Sequence, residues 1–187
     1  EEPRGAGTGV SSQHVSQKAA LAKAPEPALS LRNVVFLSYR RNDSIDVTGR
    51  LYDKLVADLG KNAVFKDIDS IPLGSDFREH IDESLRNSKV VLLIMGRNGK
   101  GEQTAPGAHR IDDRRDFIRI EVETALGRGI PVVPVLVHDA EMPPEDSLPP
   151  AMQGIAYRQA IRVRADPDFH RGADRIVSFL KAHLRLD

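Results

Sequence analysis

Val90-Val91-Leu92-Leu93-Ile94-Met95 is an unbroken apolar run, with Ser88 and Lys89 before it and Gly96, Arg97 and Asn98 after it. A run this short, bounded by polar and turn-forming residues, has the length of a strand. Because it does not alternate with polar residues, both of its faces must be covered. Residues 34–37 (VVFL) and 131–137 (PVVPVLV) are runs of the same kind, residues 63–65 a shorter strand and residues 160–163 an edge strand. Between the strands the apolar spacing becomes helical. Val47, Leu51, Leu55 and Leu59 form one stripe, Phe77, Ile81 and Leu85 a second, Ile118, Val122 and Ala125 a third, and Ile176, Phe179, Leu180 and Leu184 a fourth. Asp43 or Ser44, Ser75 and Asp116 stand where N-caps belong, and Gly127 or Gly129 suits a helix end. Strands alternating with helices predict right-handed βαβ units and a five-stranded, doubly wound α/β sheet with helices on both faces.

Composition narrows the function classes. The 187 residues carry 27 Lys+Arg against 27 Asp+Glu and have no cysteine and no tryptophan. Lack of cysteine excludes a disulfide scaffold, a thiolate zinc site and a thiol nucleophile. The six histidines (14, 80, 109, 138, 170 and 183) show no i, i+4 metal pair, so no metal is expected. Charge balance argues against a nucleic-acid reader that works through a strong basic field. No apolar run approaches the ~18 residues of a bilayer span, so no membrane contact is expected. The chain shows neither a signal peptide nor an initiator Met, which leads to the expectation of a cytoplasmic segment of a longer protein. Residues 1–32, rich in Ala, Gly, Ser, Gln and Pro, read as a flexible linker with a transient helix near residues 16–23, and residues 33–187 as the folded domain.

A doubly wound sheet places function at the carboxyl ends of its strands, here residues 38–44, 67–75, 96–113 and 137–150. The commoner tenants of such a sheet lack their residues. Gly96-Arg97-Asn98-Gly99-Lys100-Gly101 has the wrong spacing for a phosphate loop. Ser38-Tyr39-Arg40-Arg41-Asn42 has no glycine for a dinucleotide fingerprint, and no strand precedes Gly5-Ala6-Gly7-Thr8-Gly9. Met95-Gly96 stands where a phosphoacceptor aspartate would be, and no G-x-S-x-G occurs. Residues 96–113 form a segment long enough to predict a mobile flap.

Four blocks carry a family resemblance: Val35-Phe36-Leu37-Ser38-Tyr39-Arg40-Arg41-Asn42-Asp43-Ser44; Val64-Phe65-Lys66-Asp67-Ile68-Asp69-Ser70-Ile71-Pro72-Leu73-Gly74-Ser75-Asp76-Phe77; Asp116-Phe117-Ile118-Arg119-Ile120-Glu121; and Ala125-Leu126-Gly127-Arg128-Gly129-Ile130-Pro131-Val132-Val133-Pro134. In this order and spacing the chain resembles a TIR (Toll/interleukin-1 receptor) domain. It is closest to the bacterial branch, to judge from Met142-Pro143 and Leu148-Pro149-Pro150. The resemblance implies a flavodoxin-like fold with strand order 2-1-3-4-5. It also implies NAD+ hydrolase activity that yields nicotinamide and ADP-ribose or a cyclic isomer, with NAD+ as substrate and no further cofactor. The setting it implies is bacterial immune or stress signalling, with activity on self-assembly. The alternative is a non-catalytic scaffold that binds other TIR domains.

The same resemblance implies residue roles. Glu121, within Phe117-x-x-x-Glu121, is the catalytic carboxylate. Cleavage leaves positive charge on the ribosyl group, which a nearby carboxylate stabilises, and the departing nicotinamide is already cationic and needs no acid. Phe117, one turn earlier, shapes the pocket where the family often has Trp. Arg40 and Arg41 suit the diphosphate, and Tyr39 a base. Ser38 and Ser70 are donors, Asp67 holds ribose hydroxyls, Gly74 permits close backbone approach, and Ile71 and Phe77 wall the pocket. Residues 67–77 match the family's BB loop, in which Ile68, Ile71, Pro72 and Leu73 make the interface. Two charge readings are structural: Glu123 pairs with Arg119, and Asp112, Asp113, Arg114 and Arg115 form a solvated cluster.

Overall fold

In the computed structural model, which describes residues 34–66 and 76–186, each apolar run is a strand of one parallel sheet. The order along the chain is β1 (Val35–Tyr39), α1 (Arg41–Leu59), β2 (Val64–Lys66), α2 (Phe77–Arg86), β3 (Val90–Met95), β4 (Gln103–Ala105), β5 (Ala108–His109), α3 (Phe117–Gly127), β6 (Val132–Val137), β7 (Ile161–Val163) and α4 (Phe169–Leu184). The sheet runs β2-β1-β3-β6-β7 with every pairing parallel. Counted over its own strands this is the expected 2-1-3-4-5 order. The other two strands, β4 and β5, form a separate antiparallel hairpin.

Alternation along β3 feeds two cores. Val90, Leu92 and Ile94 pack with Leu51 and Leu55 of α1 and Ile176 and Leu180 of α4. Val91, Leu93 and Met95 pack with Ile81 and Leu85 of α2 and Ile118, Val122 and Ala125 of α3. The same alternation divides β1: Val35 and Leu37 join the first core and Phe36 the second, where its ring stacks on Phe65 at 5.3 Å. Ser38 therefore faces α3.

The structure corrects several local expectations. β1 reaches Tyr39, paired with Ile94, so Ser38 and Tyr39 lie on the strand itself. Neither Asp43 nor Ser44 caps α1; Arg40 occupies the N-cap position without a side-chain bond, and Ser44 is a non-helical kink. Asp43 instead accepts from the Gly96 and Asn98 N–H groups at 2.7 and 2.8 Å. A Cβ on Gly96 would lie 2.6 Å from that carboxylate, so any other residue there would push Asp43 off the turn. Ser75 lies outside the described residues, and Asp76 caps α2 by accepting from the Arg78 N–H. Residues 96–113, read from the sequence as a mobile flap, contain the β4–β5 hairpin and a 3-10 turn at Arg110–Asp112. The expected 1–32 linker lies outside the described residues, and no helix among those described is long and apolar enough to cross a membrane.

Gly172 marks where α4 meets the sheet edge. A Cβ there would stand 2.8 Å from the Arg162 carbonyl oxygen and 2.9 Å from the Val163 Cα. Backbone cannot yield as a side chain can, so Gly172→Ala is expected to cost about 1–3 kcal/mol. Urea unfolding measures it, through a lower midpoint at unchanged slope.

Candidate functional site

The site is assembled where β1 ends beside the start of α3. Asp116 opens α3 by accepting from the Arg119 N–H at 3.1 Å. From there Ile118, Val122 and Ala125 turn into the core, and Glu121 lies on the adjoining stripe. That stripe meets the Ser38 side of β1. Ser38 Oγ donates to Glu121 Oε2 at 2.6 Å, with Ser38 fully buried and Glu121 1% exposed. A carboxylate and a hydroxyl far apart in sequence thus meet inside the protein, away from bulk water.

One turn back along α3, Phe117 and Ile118 form one wall of an open cleft of about 480 Å³, completed by Tyr39, Arg40, Arg41, Asn42, Arg110 and Asp116. Its floor is an ion pair. Arg40 donates from its two terminal nitrogens to both Asp116 oxygens at 2.7 and 2.9 Å, with both side chains buried. Its Nε donates to the Gly99 carbonyl at 3.0 Å. Arg110 approaches Asp116 at 3.4 Å from a half-exposed position. Arg40 therefore ties three parts of the chain together: the end of β1, the turn after β3 and the N-terminus of α3. Arg41, next to it, is exposed on the cleft.

The structure brings Ser38, Tyr39, Arg40, Arg41, Phe117 and Glu121 into one region, the first five near or on the cleft and Glu121 beneath its α3 wall. Asp67, Ile68, Ser70, Ile71, Pro72, Leu73 and Gly74 lie outside the described residues, as does the side chain of Phe77, which opens α2. Sequence reasoning missed Asn42 and Arg110 as cleft residues, and assigned Asp116 to capping alone. Asn42 bonds Glu102 at 2.8 Å, and Arg110 follows the β4–β5 hairpin. Asn42 reaches the cleft with the first turn of α1, beside Arg41, and Arg110, which no motif marks, is brought there by the hairpin. Glu123 does pair with Arg119, at 2.8 Å. Arg115 pairs with Asp113 on the surface, and its side-chain hydrogen bond holds the Asp113 carboxyl below the usual carboxylate range. Among the described residues no group of three or more His, Cys, Asp or Glu side chains could hold a metal.

The family model described as "TIR domain" matches residues 35–177. A curated relative from Drosophila melanogaster, named NAD(+) hydrolase sarm1, is 24% identical over 158 residues, which is 82% of this chain. The chain spans 11% of that relative's length. Among solved structures, the TIR domains of the activated Roq1 resistosome, which directly recognises the pathogen effector XopQ, superpose with a TM-score of 0.54. The match covers 78% of this chain and 98% of that one at 14% identity, a likeness of fold.

Proposed function

The chain belongs to the TIR-domain family, and from that premise we propose that it is an NAD+ hydrolase splitting the bond between nicotinamide and ribose. The observation that carries this reading is the buried Glu121 carboxylate, held by Ser38 beside the cleft at the end of β1. The similarity to a relative named NAD(+) hydrolase supports it.

The chemistry asks little of the protein. The bonding pair of the glycosidic bond leaves with the nicotinamide nitrogen, which becomes neutral, and positive charge develops on the ribosyl carbon. Glu121 offsets that charge in a site of low dielectric, where a carboxylate acts more strongly than in water. Water then adds to give ADP-ribose, or a nucleophile on the same molecule closes a ring. Ser38 fixes the direction of the carboxylate. Arg41 offers a guanidinium to the diphosphate, while Tyr39 and Phe117 supply ring surface for the bases. Arg40, engaged with Asp116, holds the cleft floor.

Glu121 is 1% exposed in the single chain. A substrate must reach it through a rearrangement, which self-association through Ile68, Ile71, Pro72 and Leu73 is proposed to drive by favouring an open state. Specific activity should then rise with protein concentration. Pro72→His is expected to abolish both the self-association seen by light scattering and the concentration-dependent part of the rate. The test of the whole reading is nicotinamide release, followed by chromatography, from NAD+ incubated with concentrated protein. No release at any concentration overturns it.

Burial of Glu121 with a satisfied hydrogen bond also fits a purely structural carboxylate, and this favours the scaffold as the second reading. It predicts self-association that depends on Pro72 and NAD+ recovered intact.

A further inference from the structure

The far edge of the sheet carries a second charged feature, separated from β1 by β3 and β6. Arg162 on β7 and Arg164 just after it flank the buried Val163, so both point away from the core that Val163 joins. Arg171 and Arg175 are one turn apart on α4 and share a stripe. Gly172, buried between the two elements, lets the helix backbone rest on the strand, so that the helix stripe and the strand arginines meet at the sheet edge. All four arginines line a single concavity of about 390 Å³, with Asp168 its one carboxylate.

The acids nearby in sequence do not neutralise it. Asp166 is bound to Arg50 at 3.0 Å, and Asp174 to Lys54 at 3.0 Å, both turned towards α1. Arg162 gives one nitrogen to the Ala140 carbonyl at 2.9 Å. Among the described residues no ion pair is formed by Arg164, Arg171 or Arg175. Four cations against the one carboxylate of Asp168 leave the hollow net positive, and packing does not require them, since all four arginines are exposed. Guanidinium forks converging from a strand and a helix match the oxygens of neighbouring phosphates, each fork engaging two oxygens at once. The hollow is a short concavity confined to two elements, and the chain as a whole is neutral. Both features favour a compact polyanion over an extended nucleic acid, which needs a long basic track.

We propose that the Arg162–Arg164–Arg171–Arg175 concavity binds a ligand carrying two or more adjacent phosphate groups, at a site separate from the cleft at Tyr39. The proposal stands whether or not the cleft hydrolyses NAD+. The ligand can be a soluble di- or triphosphate or the polyphosphorylated headgroup of a lipid, and the test separates these.

Titration calorimetry of the whole chain with pyrophosphate and with tripolyphosphate is expected to show saturable, salt-sensitive binding. Arg164→Gln combined with Arg171→Gln changes two exposed side chains and should unfold at the parent temperature. It is expected to weaken binding by about tenfold or more, whereas Arg86→Gln, at an exposed position of α2 outside both hollows, leaves binding unchanged. Co-sedimentation with phosphatidylcholine vesicles, with and without a phosphoinositide bisphosphate, identifies the source. Retention only on the phosphoinositide vesicles, reversed by tripolyphosphate, assigns the headgroup; no retention assigns a soluble ligand. The proposal is overturned by lack of saturable binding to both phosphates, by undiminished binding in the double variant, or by an equal loss of binding in Arg86→Gln. Binding of an oligonucleotide but of neither phosphate overturns it as well.

Discussion

Replacing Glu121 by Gln is expected to lower nicotinamide release by about 10²–10³-fold while the protein stays folded. Glutamine has the same shape, and its amide can still meet Ser38 at the position where Oε2 now stands 2.6 Å from Oγ. It has no net charge to set against a developing ribosyl cation. An amide is also less costly to bury than an ionisable group, so unfolding temperature should hold or rise. The two readouts therefore move in opposite directions if the carboxylate is catalytic. A scaffold carboxylate would give a variant with altered stability and no turnover to lose. Ser38→Ala provides the intermediate case. It frees one side of the carboxylate, leaves its charge in place, and is expected to lower the rate by less than Glu121→Gln does. Equal rates from the parent and Glu121→Gln would sink the hydrolase reading outright, whatever the stability shows.

The meeting of Ser38 with Glu121 also shows where sequence reasoning reaches and where it stops. The three apolar runs specified the sheet, because residues buried on both faces cannot be anything else in a doubly wound fold. Periodicity specified the helices, and the strand order followed from the resemblance. The side of β1 on which Ser38 lies follows from alternation once Phe36 is known to face α3. The fate of the charged residues was not legible. Asp43 stands where an N-cap belongs, yet it binds the backbone of the turn at Gly96, more than fifty positions away. Arg40 and Arg41 are adjacent and chemically identical, and the sequence offers both to a phosphate. The fold buries the first against Asp116 and exposes the second on the cleft. Such long-range pairs leave no periodic signal. The hairpin in residues 96–113 was hidden for a related reason: its strands are short and mostly exposed, with no apolar alternation to mark them.

The buried Arg40–Asp116 pair should have the largest effect on stability of any polar contact near the cleft. Asp116→Ala removes both carboxylate acceptors of the Arg40 guanidinium and leaves a buried cation with no opposite charge, held only by backbone carbonyls. Breaking a buried pair from one side costs about 3–5 kcal/mol. Loss of the cap on the Arg119 N–H adds about 1 kcal/mol. In a domain of this size the unfolding temperature falls by about 3 °C for each kcal/mol, a large drop on a calorimetric trace. Asp116→Ser keeps an oxygen for the cap and isolates the charge term. Combining Asp116→Ser with Arg40→Met removes both charges and should recover most of the loss, because an apolar side chain replaces the ion that had been stranded. What the double variant cannot recover is the 3.0 Å bond from Arg40 to the Gly99 carbonyl, which anchors the turn before the hairpin. If Arg40 is free to serve phosphate rather than committed to the fold, Asp116→Ser will change stability by no more than about 0.5 kcal/mol. A committed Arg40 instead makes the ion pair the clamp that sets the end of β1 against the start of α3. The Ser38–Glu121 contact depends on that same spacing. The double variant should therefore be well folded yet slower at releasing nicotinamide than its stability alone would predict.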